Sequence, residues 1–232
     1  VKRPAYYAFL YCGVAYQDWQ MGVRPKHHGE QYPHNDGLCL FWSPEFGVSL
    51  LTKNWGASRA NTLLVKGGED RVLWSYYMDV KSKLDTEGGT AELSGKIRET
   101  PLTYRRVYRF LDDGIECALT VKSEADFACQ DVWECLPYPL ADIKPDMQVT
   151  LRDAQGRPVE SGRPATTIRF SNAAGQGHSV VFAEPVVVAL GQDETVDHYG
   201  GKHTYGRALI SLPSRFTAGQ EVTLRYRFAP KP

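Results

Sequence analysis

The feature that most restricts this chain is its punctuation: short runs rich in Val, Tyr, Phe, Leu and Thr recur between clusters of Gly, Pro, Asn and Asp. Such runs suit a pleated, half-buried surface, and the clusters supply the backbone freedom of turns. The pattern predicts strands at 6–12, 37–42, 48–51, 61–65, 72–80, 91–97 and 102–110. It continues with 114–123, 127–136, 149–152, 166–171, 178–189, 208–212 and 222–228. No window keeps an i, i+3, i+4, i+7 apolar stripe for three turns, so helices are not expected. Strands in this number, joined by hairpins, form antiparallel sheets packed face to face. The expected fold is all-β, an antiparallel β-sandwich or supersandwich, in a single domain spanning residues 1–232.

Individual strands carry more detail. In TYRRVYRFL, Tyr104, Arg106, Tyr108 and Phe110 share one face, and Arg105, Val107, Arg109 and Leu111 share the other. Arg therefore occurs on both faces, which calls for polar partners on the covered one. Asp112-Asp113-Gly114 then has the chemistry of a tight hairpin turn. Residues 154–156 and 172–175 read as further hairpin loops, and 137–145 (PYPLADIKP) as a long crossover between sheets. There is no internal repeat or low-complexity segment.

Composition removes several classes of function. Lys+Arg 27 against Asp+Glu 27, with no basic run, leaves no electrostatic footprint for nucleic acid. No apolar stretch approaches the length of a membrane span. The five cysteines, Cys12, Cys39, Cys117, Cys129 and Cys135, form no CxxC or Cys/His cluster of the kind a structural zinc needs. Cys12, Cys39 and Cys117 sit in apolar runs, where a thiol behaves as a small buried hydrophobe. The opening VKRPAYYAFLY lacks the layout of a signal peptide and begins on strand-like sequence. It reads as a mature product or an excised domain, the C-terminal part of a longer protein.

Two segments concentrate polar and aromatic groups. Residues 19–36 (WQMGVRPKHHGEQYPHND) bring Arg24, His27, His28, Glu30, His34 and Asp36 into one long loop. His and carboxylate together can bind a metal, relay a proton or hydrogen-bond a sugar hydroxyl. The plainer alternative is a solvated loop whose histidines cap neighbouring backbone groups. The second segment, 198–205, sets His198 and His203 five apart around a Gly-Gly turn, a spacing at which they can meet across a hairpin and chelate, beside Tyr199 and Tyr205. Aromatic rings beside charged groups suit sugars, whose apolar faces stack while their hydroxyls hydrogen-bond. The plainer alternative there is a tyrosine-rich loop tip. No GxSxG, HExxH, GxxxxGK[ST] or GxGxxG motif occurs, and no carboxylate pair is nominated by spacing.

One stretch carries a family likeness. His34-Asn35-Asp36-Gly37 leads into LCLFWSPEFGVSLL, then Asn54-Trp55-Gly56, then Ala60-Asn61-Thr62-Leu63-Leu64-Val65-Lys66-Gly67. YYAFLYCG precedes it and RRVYRFLDDGIECALTV follows. In order and spacing, the first half of the chain resembles the C-terminal β-sandwich of polysaccharide lyases of the heparinase II/III and oligoalginate-lyase type. That sandwich runs from H-x-D through a strand to D-x-G and then to H-N-T. The resemblance implies an N-terminal helical toroid as partner domain, a polysaccharide or oligosaccharide as ligand, and a secreted or periplasmic location. Some family members bind zinc through a histidine of the first motif, the aspartate of D-x-G and the histidine of H-N-T. The corresponding positions here are His34, Asn54 and Ala60, so one ligand of three survives and no metal or other cofactor is expected. The family's tyrosine base belongs to the toroid, so no catalytic residue is assigned within this chain. Arg24, His28 and His34 are what the sandwich would offer to such a cleft.

The leading expectation is a carbohydrate-associated sandwich that lines a glycan cleft without a complete active site. Its candidate substrate-binding residues are Arg24, His28, Glu30, His34, Asp36, Trp55, His203 and Tyr205. One alternative is a structural or interaction sandwich. Another is a sugar mutarotase-like enzyme drawing on the sets His28/Glu30/His34 and His178/His198/His203 for acid–base chemistry.

Overall fold

A computed structural model of the chain describes residues 1–12, 36–51, 62–67, 72–74, 81–97, 99–140, 144–196 and 202–231. It is all-β. The first strands are β1 (Lys2–Arg3), β2 (Tyr6–Cys12), β3 (Asp36–Ser43), β4 (Gly47–Leu51), β5 (Thr62–Lys66) and β6 (Val72–Trp74). Next come β7 (Lys81–Asp85), β8 (Thr90–Lys96), β9 (Leu102–Leu111), β10 (Gly114–Ser123), β11 (Phe127–Ala128) and β12 (Asp131–Pro139). The chain continues through β13 (Gln148–Arg152), β14 (Pro158–Val159), β15 (Arg163–Ser171) and β16 (Gly177–Val196). It closes with β17 (Lys202–Leu212), β18 (Arg215–Phe216) and β19 (Glu221–Ala229). All the pairings are antiparallel, as hairpin-connected strands require.

Most predicted strands fall where expected, and the differences have physical causes. The 127–136 run divides into β11 and β12, and Pro137 and Pro139 are strand residues rather than part of a crossover. Lys202–Tyr205, read as a loop tip, is instead the start of β17 and pairs with the far end of β16. β7 (KSKLD) escapes the pattern because all five residues are exposed at the sheet edge and carry no apolar alternation.

β1–β4 form a small sheet, and the large one runs β6-β5-β12-β17-β16-β19-β10-β9-β8-β7. β16 is the corner: its first residues pair with β19, its last with β17, and β15 lies along its other edge. Four strands separate β9 from β12 along this path, yet side chains of the two touch, so the large sheet curls over on itself. Leu102, Tyr108, Leu119, Val132, Ile210 and Phe228 lie in the core between the layers. The small sheet packs against the same core. Tyr6 Oη donates to the carbonyls of Leu111 and Gly114 at 2.9 and 3.0 Å, and Leu38 N–H donates to Tyr108 Oη at 3.1 Å.

Two glycines are set by close approach. Gly114 ends the two-residue Asp112-Asp113 turn with φ 156°, where a Cβ would run into the carbonyl of Phe228. Gly206 stands opposite Tyr138, whose ring occupies the space a Cβ would take.

Candidate functional site

The outer face of β8–β9–β10–β19 is a grid fixed by register. Glu116 lies between Arg109 and Arg227, Ala118 between Val107 and Arg225, Thr120 between Arg105 and Thr223, and Lys122 between Thr103 and Glu221. Directly opposed residues share a face, so each row is a line of neighbouring side chains. Where the small Ala118 sits, the face sinks into an open groove of about 560 Å³, continued onto β16 by Val181 and Ala183. That volume falls in the range that small-ligand sites occupy, roughly 300–1,000 Å³.

The groove has an apolar floor and a cationic rim: Arg109, Arg225 and Arg227 line it against the single carboxylate of Glu116. Arg109 Nη1 is 3.8 Å from Glu116, and Arg227 Nη2 is held 2.6 Å from Asp113 at the β9–β10 turn. Arg225 is exposed and has no hydrogen-bond or ion-pair partner among the described residues. A guanidinium in that position presents its planar donor fork to a carboxylate or sulfate, while the floor accepts an apolar ring face. Along the same face, Arg105 grips Glu92 through two bonds of 2.9 and 2.7 Å. That pair lowers the Glu92 pKa and raises that of Arg105. A second depression of about 320 Å³ follows, bordered by Thr103, Arg105, Thr120, Lys122 and Glu221.

Two polar clusters lie beneath the faces. Arg106 Nη2 meets Glu134 Oε2 at 2.6 Å with both side chains wholly buried, and Tyr226 Oη donates to Glu134 Oε1 at 2.5 Å. This ion pair crosses the sandwich from β9 to β12 and supplies the polar partner that the two-faced arginine pattern demanded. Burial pushes the neighbouring Cys117 thiol up to about 12, which leaves it protonated and inert at neutral pH. The second cluster joins the small sheet to β16. His178 Nδ1 is 2.5 Å from Ser49 Oγ and its Nε2 is 2.7 Å from Ser43 Oγ. The edges of Phe41 and Phe46 close on the ring, each 4.9 Å away between centroids. Burial, with the charge of Lys144 second, lowers the His178 pKa to about 3. The ring is therefore neutral, donating through one nitrogen and accepting through the other. Sealed at 1 % exposure, it is a clasp rather than an exchanging base.

Of the residues nominated from sequence, Arg24, His28, Glu30, His34 and Trp55 lie outside the described residues, as do His27, His198, Asn54 and Ala60. Asp36 begins β3 with Cys12 as its backbone partner. His203 and Tyr205 fall two apart on β17, opposite Thr195 and Asp193, and Tyr205 is buried at 4 % exposure. Asp36 and β17 thus belong to different sheets. Among the described residues no three His, Cys, Asp or Glu side chains converge on a metal-sized site. No single motif in the sequence marks the groove itself. Its signal was the alternation of Arg with apolar residues in TYRRVYRFL and again in LRYRF, two strands that β10 brings side by side.

The geometry defines a curled all-β sandwich with a cationic groove on one outer face. No protein-family model matches the sequence, and no curated protein matches it. Solved structures do match its fold. A galactose mutarotase-related enzyme from Lactobacillus acidophilus superposes with a TM-score of 0.53 at 8 % identity, over 99 % of this chain and 95 % of that one. Heparinase III gives 0.54 at 12 % identity over 99 % of this chain and 36 % of its own. Heparan sulfate lyase HepC from Pedobacter heparinus gives 0.54 at 10 % identity, over 99 % and 35 %. This chain has the β-rich fold that these carbohydrate-active proteins share, spanning almost all of the first and little more than a third of the two lyases.

Proposed function

We propose that this chain is a carbohydrate-associated β-sandwich of the polysaccharide-lyase-like type, which holds an acidic glycan and has no complete active site of its own. The observation that carries this reading is Arg225, an arginine with no hydrogen-bond or ion-pair partner among the described residues, set over an apolar floor with Arg109 and Arg227 lining the same groove. A uronate or sulfated sugar matches it: the anion takes the guanidinium fork, and the ring lies against Val107, Ala118 and Val181. The likeness to the lyases supports the same ligand class, and the N-terminal helical domain implied by the sequence resemblance is the proposed partner that completes the cleft.

The test is calorimetric titration with uronate-containing and sulfated oligosaccharides, alongside neutral ones. Wild type is expected to bind the acidic series, and Arg225→Ala to weaken binding at least about tenfold, the loss of one charge-assisted contact. Equal binding of neutral and acidic sugars, or no binding at all, overturns the reading. So does release of unsaturated product from a uronate polymer by this chain alone.

A second reading, a mutarotase-like enzyme, draws on the 95 % coverage of the mutarotase-related structure. It requires that anomer interconversion, followed by polarimetry, be present in wild type and lost on replacing His34 and His203. Among the described residues, no histidine and carboxylate face each other across the groove.

A further inference from the structure

The small sheet is apolar on both sides. Its inner side contributes Tyr6, Ala8, Leu38, Phe41 and Leu50 to the core. Its outer side is set by register into two rows: Tyr7, Trp42 and Val48 across β2–β3–β4, then Phe9, Leu40 and Leu51. Phe9 is 59 % exposed, and Tyr7 and Trp42 are 39 % exposed each. Strands with apolar residues on both faces, as in YYAFLY and LCLFW, are those of sheets covered on both faces. A contiguous exposed patch of this kind marks an interaction surface rather than ordinary surface scatter.

We propose that this outer face is the dimer interface between two copies of the chain. Three features select that occupant. The six side chains offer only the Tyr7 hydroxyl and the Trp42 indole N–H as polar groups, too few to hold the hydroxyls of a sugar. A twisted antiparallel sheet is matched best by a sheet of the same twist, packed aligned and face to face, and a second copy supplies one. The charges at the rim are also self-complementary. Lys2 on β1 pairs with Tyr7 at one end of the first row, and Glu45 lies in the β3–β4 turn, three residues before the Val48 that ends the row on β4. Both are exposed and neither has an ion-pair partner among the described residues. A two-fold axis parallel to the strands lays β1 of each copy over β4 of the other. Lys2 of one copy then meets Glu45 of its mate, in the self-complementary manner of a two-fold interface.

Sedimentation equilibrium of the full 232-residue chain tests this. A dimer is expected at micromolar concentration, with Phe9→Glu and Trp42→Glu each returning it to monomer while the far-ultraviolet circular dichroism is unchanged. A pair of charge variants keeps the test independent of folding. Lys2→Glu is expected to weaken the dimer about threefold or more, and Lys2→Glu combined with Glu45→Lys to restore it. A monomeric wild type at hundreds of micromolar overturns the proposal, as does a dimer indifferent to all four substitutions. A monomer whose Trp42-dependent fluorescence responds to neutral oligosaccharides overturns it in favour of a sugar platform. The groove around Arg225 lies on a different sheet, so these outcomes are separate from those of the glycan titration.

Discussion

Arg105 lies on the outer face of β9, where it grips Glu92 in solvent, whereas Arg106, one residue on, points inward and is wholly buried against Glu134. The chemistry of the two pairs is the same and their environment is opposite. In water, a guanidinium–carboxylate pair gains little over its separate hydrated ions, and exposed pairs contribute about 0–1 kcal/mol. Inside the sandwich neither ion has water to return to, so each depends on its protein partners, the opposite ion among them, and Glu134 also accepts from the Tyr226 hydroxyl. The inner face of β9 therefore holds the two layers together, and its outer face is free to meet a ligand.

The comparison is sharpest where one partner is removed. Arg106→Met or Glu134→Leu alone should cost about 3–5 kcal/mol in urea unfolding, because each strands a buried charge. The double variant should recover most of that loss, and two single effects that simply add would break the account. Gly206→Ala is next, at about 1–3 kcal/mol, since the new methyl must displace the Tyr138 ring.

The His178 clasp gives the inner face a pH signature. Its pKa is about 3 folded against 6.5 for the free side chain, so below pH 6.5 the unfolded state binds the extra proton. Stability from this group is therefore complete above pH 6.5 and falls by about 1.4 kcal/mol per pH unit from there toward pH 3. His178→Gln should remove that slope from the pH dependence of the unfolding midpoint. A slope that survives the substitution would place its origin elsewhere.

The outer-face predictions are the smallest in stability. Arg105→Ala should shift stability by less than about 1 kcal/mol. Arg225→Ala, with no partner to lose among the described residues, should leave thermal unfolding within about 0.5 kcal/mol of wild type while weakening acidic-glycan binding. If Arg225→Ala unfolds the chain, the outer face is structural after all.

Local chemistry made much of this legible in advance. The alternation in TYRRVYRFL placed Arg105 and Arg106 on opposite faces, and Asp112-Asp113-Gly114 marked the hairpin that fixes their register with β10. Cys117 could be read as a buried thiol because its neighbours are apolar. The groove was not legible, since Arg109 and Arg225 are 116 residues apart in number and meet only through β10. Nor was the partner of Arg106: several carboxylates sit near strand ends, and nothing local distinguishes Glu134. His203 and Tyr205 read locally as part of a loop because Gly and Lys interrupt the apolar pattern there. The ladder with β16 overrides that local preference.

What the sequence by itself determined is the all-β class, the strand faces and the turns, because side-chain period and turn chemistry act over a few residues. What the tertiary structure decided is which arginine is buried, which lines the groove, and which sheet remains apolar outside. Those outcomes depend on strands distant in sequence, and on a long corner strand, β16, that curls the sheet until Arg106 reaches Glu134.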